Sequence, residues 1–159
     1  MSTPAPSRGV SEADLLEAIR DASQTVVHLL MPRVAAEGLI APTFWHLHHL
    51  ERSGVKHPGE LSRLLGITPA TCTGSIDQLV ERGYVARHPS ATDRRQVVLE
   101  VTPKGRRTLE TVWRGFNASL AEVLATLPPR DLDVTARTLR TITASLRKAA
   151  EHRVPEARA

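Results

Sequence analysis

The 159-residue sequence predicts a mainly α chain with one small β-hairpin. Two observations carry that prediction. Apolar residues recur three and four apart through most of the chain, the spacing of a single helix face. Only the stretch from Tyr84 to Thr102 alternates as strands do, around a turn reading Ala91-Thr-Asp-Arg-Arg95. Composition agrees with a globular domain, at 41% hydrophobic and 24% charged.

Residues 1–10 are rich in Ser and Pro and read as a disordered lead-in, without the apolar core of a signal peptide. Ser11, with Asp14 three residues on, starts a first helix. Leu15, Ile19, Ala22, Val26, Leu29 and Leu30 form its stripe, and Pro32 and Gly38 are expected to end it. Pro42 opens a second helix that runs to Ser53, with Phe44, Leu47 and Leu50 inward. A short third helix starts at Pro58, carries Leu61, Leu64 and Leu65, and closes at Gly66.

Thr68-Pro69 is a strong start signal. The hydroxyl caps free N–H groups, and proline at the first helical position has no N–H to leave unpaired. This fourth helix runs to Arg82. Cys72, Ile76, Leu79 and Val80 line one side, while Ala70, Thr71, Thr73, Gly74 and Ser75 are expected on the other. Strands at residues 84–88 and 96–102 follow, joined by a loop from Pro89 to Arg95. A long helix after Pro103 and Gly105 carries Leu109, Val112, Trp113, Phe116 and Leu120, and Pro128-Pro129 breaks it. A last helix spans residues 131–150.

Charge is distributed unevenly. The net charge is +4, yet between Arg82 and Arg107 seven basic residues stand against Asp93 and Glu100. Such a concentration suits an acidic partner, nucleic acid above all. The single cysteine, Cys72, excludes an intrachain disulfide and a cysteine-rich zinc site. No apolar run reaches the roughly 20 residues of a membrane span, so a cytoplasmic protein without membrane contact is the default. No phosphate-cradling glycine loop or zinc-protease motif occurs, and no grouping of Ser, His and Asp activates a nucleophile, so no enzyme is expected.

The run from Glu60 to Arg87 has the pattern of a helix-turn-helix. With Asp93-Arg94-Arg95 and Val97-Val-Leu-Glu-Val-Thr-Pro-Lys-Gly105 behind it, the chain closely resembles the MarR family of bacterial winged-helix transcriptional regulators. The resemblance spans about residues 11–150 and is most specific from Glu60 to Gly105. It implies a winged helix-turn-helix with N- and C-terminal dimerisation helices. The implied divisions are a lead-in (1–10), an N-terminal dimerisation helix (11–37), a DNA-binding domain (38–103), C-terminal dimerisation helices (104–151) and a tail (152–159). The implied partners are double-stranded DNA, a second copy of the chain and a small-molecule effector, often a phenolic anion. No cofactor is implied.

Residue roles follow from chemistry and resemblance together. Thr68 at the helix N-terminus suits a phosphate, and Thr71 and Thr73 suit base edges or a thymine methyl. Ala70, Gly74 and Ser75 let the backbone approach DNA. Gly74 departs from the family pattern, where arginine is frequent, and removes one candidate contact. Arg95 matches the family arginine that enters the minor groove, Arg94 suits phosphate, and Asp93 would hold the turn by pairing with an arginine. Arg63 and Arg87 are candidate phosphate contacts. The expected dimer stripe includes Leu15, Ile19, Val26, Leu139, Ile142 and Leu146, which a middle domain of about 65 residues cannot cover alone.

Trp45, His46, His49 and Trp113 are the candidate effector residues. His46 and His49, three apart on a helix, would alternatively share a metal if acids came from elsewhere, although no metal site is assigned. A constitutive winged-helix protein with no effector is the other alternative. Cys72 falls on the apolar stripe of its helix, which argues for a buried thiol and against a redox sensor.

Overall fold

The computed structural model describes residues 10–90 and 96–151. Residues 1–9 of the expected lead-in (1–10), the wing turn with Asp93, Arg94 and Arg95, and the tail at 152–159 lie outside the described residues. The elements in order are α1 (Glu12–Ala36), α2 (Ala41–Ser53), α3 (Pro58–Leu65), α4 (Pro69–Glu81), β1 (Val85–Pro89), β2 (Val97–Val101), α5 (Pro103–Leu124) and α6 (Pro129–Glu151). Two compact units divide the chain, Met1–Phe116 and Asn117–Ala159.

In the first unit, α1 begins with a reciprocal cap. Asp14 N–H donates to Ser11 Oγ at 3.2 Å, and Ser11 N–H donates back to the Asp14 carboxylate at 3.0 Å. Pro32 does not end this helix as expected; it lies inside it. The Arg33 guanidinium donates to the Leu29 carbonyl at 2.8 Å, one residue past the His28 carbonyl to which Pro32 has no N–H to donate. The chain reverses instead at Gly38, whose φ of 72° favours glycine.

The core is built from one face of each middle element. Phe44, Leu47 and Leu50 of α2 are buried with Leu61 of α3 and with Cys72, Ile76 and Leu79 of α4. Each such side chain contributes roughly 1.5–3 kcal/mol by leaving water. Leu64 departs from the expected stripe and is exposed. Tyr84, Val85, Leu99 and Val101 close the core from the hairpin, and Leu109, Val112 and Phe116 do so from α5.

β1 and β2 pair antiparallel, with Val85 opposite Val101 and Pro89 opposite Val97. The other edge of β2 is pinned by Leu99 N–H donating to the Lys56 carbonyl at 2.7 Å. His57 Nδ1 also bonds the Val97 carbonyl at 3.0 Å. The base of the wing is therefore tied to the segment leading into α3.

In the second unit, Pro129 starts α6, as a residue without an N–H should. Leu139 and Leu146 are exposed and Ile142 is half-buried. In the first unit Leu15 and Val26 are exposed and Ile19 is half-buried. Among the described residues no helix is long and apolar enough to cross a membrane.

Candidate nucleic-acid interface and effector cavity

The N-terminus of α4 is shaped by Thr68. Its side-chain oxygen accepts from Thr71 N–H at 3.2 Å and lies 2.9 Å from the Thr71 hydroxyl. Thr73 Oγ1 donates to the Pro69 carbonyl at 2.9 Å. The threonines are thus held in place while keeping lone pairs for an outside donor. Ala70, Thr71, Thr73 and Gly74 are exposed, and a Cβ built at Gly74 meets nothing within 4 Å. The result is a low, polar face whose free N–H groups and helix dipole favour an anion.

Ser75 does not belong to that face. It is buried, because it stands three residues after Cys72 and four before Leu79, on the inward side of a helix with 3.6 residues per turn. Asp77 and Gln78 continue the exposed side instead, and sequence reasoning did not single them out. Arg63 is exposed, with its Nε donating to the Gly59 carbonyl at 3.2 Å. Arg87 on β1 is committed locally: its Nη2 lies 2.6 Å from Asp77 Oδ1.

A second feature lies between α2 and α5. Both tryptophans and both phenylalanines of the chain gather there with two histidines. Trp45 packs edge-on to Phe44 at 5.2 Å between centroids and lies 6.3 Å from Trp113. His49 touches Trp45 and His48. Trp113 Nε1–H donates to His48 Nδ1 at 3.2 Å. Beside them opens a cavity of about 310 Å³ lined by His48, Arg52, Arg106, Glu51, Glu110, Leu109 and Trp113. Arg106 spans its rim, 3.4 Å from Glu51 and 3.9 Å from Glu100 of β2.

The comparisons with known proteins bear on the first of these features. A family model described as MarR family matches residues 37–96, from the end of α1 to the start of β2. The repressor YetL of Bacillus subtilis is 27% identical over 128 residues, covering 79% of this chain and 77% of the relative. A MarR family protein from Bacillus stearothermophilus superposes with a TM-score of 0.77 at 25% identity, over 84% of this chain and 94% of the other. A mutant MepR of S. aureus, solved bound to an oligodeoxyribonucleotide, shares the fold at a TM-score of 0.61 and 16% identity, over 83% and 97%.

Through its helix-turn-helix and first wing strand this chain is similar to the MarR family.

In this winged-helix chain α3 and α4 are the helix-turn-helix and β1–β2 the wing. The effector residues expected from sequence are only partly brought together. Trp45, His49 and Trp113 join the aromatic cluster, but His46 does not. His46 is buried, its Nδ1 bonded to the Pro42 carbonyl, and its Nε2 has no hydrogen-bond partner among the described residues. His48 takes the place expected for His46, since it stands four residues after Phe44 and so on the same helix face, which was the available signal. Among the described residues no three His, Cys, Asp or Glu side chains gather to hold a metal, at His46 and His49 or elsewhere. Cys72 is buried as expected; its thiol faces the Pro58 carbonyl at 3.6 Å, and burial pushes its pKa up, away from reactivity.

The Trp113 bond fixes the state of His48. An indole N–H only donates, so Nδ1 must accept, and the ring proton sits on Nε2. The His48 pKa is lowered, first by burial and then by His49 and Arg52. The unfolded chain takes up this proton near the ordinary value of 6.5, above the folded value. The stabilising contribution is therefore complete above that pH and falls as pH drops from there through the lowered folded value. His48→Gln, whose amide oxygen accepts the same bond without titrating, should lose less melting temperature than wild type between pH 7 and pH 5. Parallel melting curves for the two proteins would remove His48 from this role.

Proposed function

We propose that this winged-helix chain is a cytoplasmic homodimeric repressor of the MarR family with no catalytic role. It binds a pseudo-palindromic operator and releases it when a small aromatic anion occupies the cavity between α2 and α5. The observation that carries DNA binding is the exposed face of α4, with threonines held at a helix N-terminus and no bulky side chain in front of them. The DNA-bound relative supports the same use of the fold. Thr68 would meet phosphate, Thr71 and Thr73 base edges, and Ala70 and Gly74 would allow close approach. Arg63 would add a phosphate contact.

Exposed apolar residues at both ends of the chain support the dimer, with Leu15 and Val26 on α1 and Leu139 and Leu146 on α6. A two-fold dimer presents two α4 helices, which sets half-site centres about 10 base pairs apart. For the effector, Trp113 and Leu109 offer an apolar surface, while Arg52 supplies a cation and His48 Nε2–H a donor.

Selection from a random duplex pool followed by footprinting tests the operator, and two protected half-sites one turn apart are expected. No selected sequence at low salt would sink the proposal. Arg95→Ala should weaken operator binding by roughly tenfold or more, as expected for an arginine lost from the minor groove, while Arg94→Ala should mainly flatten the salt dependence. A thermal-shift series with aromatic acids tests the effector, since a bound ligand raises the melting temperature.

A further inference from the structure

We infer that Arg87 is a positioning residue, and that its ion pair with Asp77 sets the angle between the recognition helix α4 and the wing. This role presupposes that α4 and the wing bind DNA, as proposed above. The two side chains stand on those two elements, ten positions apart, and the tight turn at Gly83 brings them together. Their separation of 2.6 Å is that of a charge-assisted hydrogen bond.

An acid on a DNA-facing helix normally repels phosphate, so removing it should tighten binding. Asp77 has a different task here, because its carboxylate ties the Arg87 guanidinium, and with it β1, to α4. Both side chains are partly exposed, so their pair adds little to folding stability. Orientation is another matter. Helix and wing must engage the duplex together, and loosening the angle between them lowers the fraction of molecules ready to bind. The apparent dissociation constant rises by the inverse of that fraction.

The probe is the duplex that the wild-type protein selects from a random pool. Asp77→Asn should weaken its binding about threefold to fivefold although a negative charge has been removed. Arg87→Ala should weaken it equally, and the double variant should be no worse than either single one. The dependence on salt should stay that of wild type in all three, and melting temperatures should barely move. Equal or tighter binding by Asp77→Asn would overturn the inference. So would a salt slope flattened by about two units per dimer in Arg87→Ala, the mark of a lost phosphate contact in each protomer. Failure of the wild type to select any duplex would instead remove the operator proposal itself. A wild type that selects normally beside an undisturbed Asp77→Asn would remove only the role of the pair.

Discussion

Gly74→Arg should tighten operator binding by about tenfold, the effect of one well-placed arginine on the recognition helix. The position is open, since a Cβ there meets nothing within 4 Å, so the longer side chain displaces no neighbour. It stands on the exposed face between Ala70 and Asp77. Asp77 is the nearest acid in sequence on that face, and its carboxylate is already held by Arg87. The new guanidinium would therefore be available to DNA. One added cation per protomer should steepen the salt dependence of a dimer by roughly two units. Glycine inside a helix also costs about 1 kcal/mol relative to a good helix former, so the same substitution should raise the melting temperature by about 2–4 °C. A higher melting temperature with unchanged affinity and salt slope would show that this face of α4 does not meet DNA.

Gly105→Ala should do the opposite to stability. Helix propensity alone favours alanine by up to about 1 kcal/mol. Packing decides otherwise. A Cβ at Gly105 would run into the Tyr84 carbonyl and come within 2.9 Å of Val101 Cγ1. Neither neighbour gives easily, because Tyr84 and Val101 are buried. The carbonyl also accepts Thr102 N–H at 3.0 Å, and the Thr102 hydroxyl donates to the neighbouring Gly83 carbonyl at 2.7 Å. Thr102 Oγ1 in turn accepts Gly105 N–H at 3.1 Å, so the start of α5 is clamped to the hairpin. Overpacking such a site costs about 1–3 kcal/mol. A melting temperature lowered by several degrees is expected, and an unchanged or raised one would show that the junction can open. The Thr102-Pro-Lys-Gly105 run thus has a physical reason: a hydroxyl to clamp the junction, and no side chain where helix meets strand.

The helix-turn-helix and the wing were legible because their signals are local. Thr68-Pro69 marks a helix start by capping chemistry alone, and α4 begins there. The alternation around residues 84–102 needs only neighbouring residues to be read, and β1 and β2 fall inside it. The Cys72 stripe follows from helical period, and the thiol is buried as that period requires.

Errors arose where a few tens of degrees around a helix, or a partner distant in sequence, decided the outcome. Ser75 looked like part of the exposed face because it follows Gly74, yet its phase with Cys72 and Leu79 turns it inward. Pro32 carries a strong local signal to stop, but the helix around it continues to Ala36. His46 and His48 are two residues apart, and rotation sends one into the interior and the other against Trp113, 65 residues away. No pattern in the sequence links Arg87 to Asp77, since their meeting depends on how β1 leaves the turn after α4. The sequence by itself determined the elements and their order, because capping, period and turn chemistry act between near neighbours. Only the tertiary structure decided which histidine joins the aromatic cluster, which serine is buried and which arginine is already paired, because those depend on distances between elements that no local rule contains.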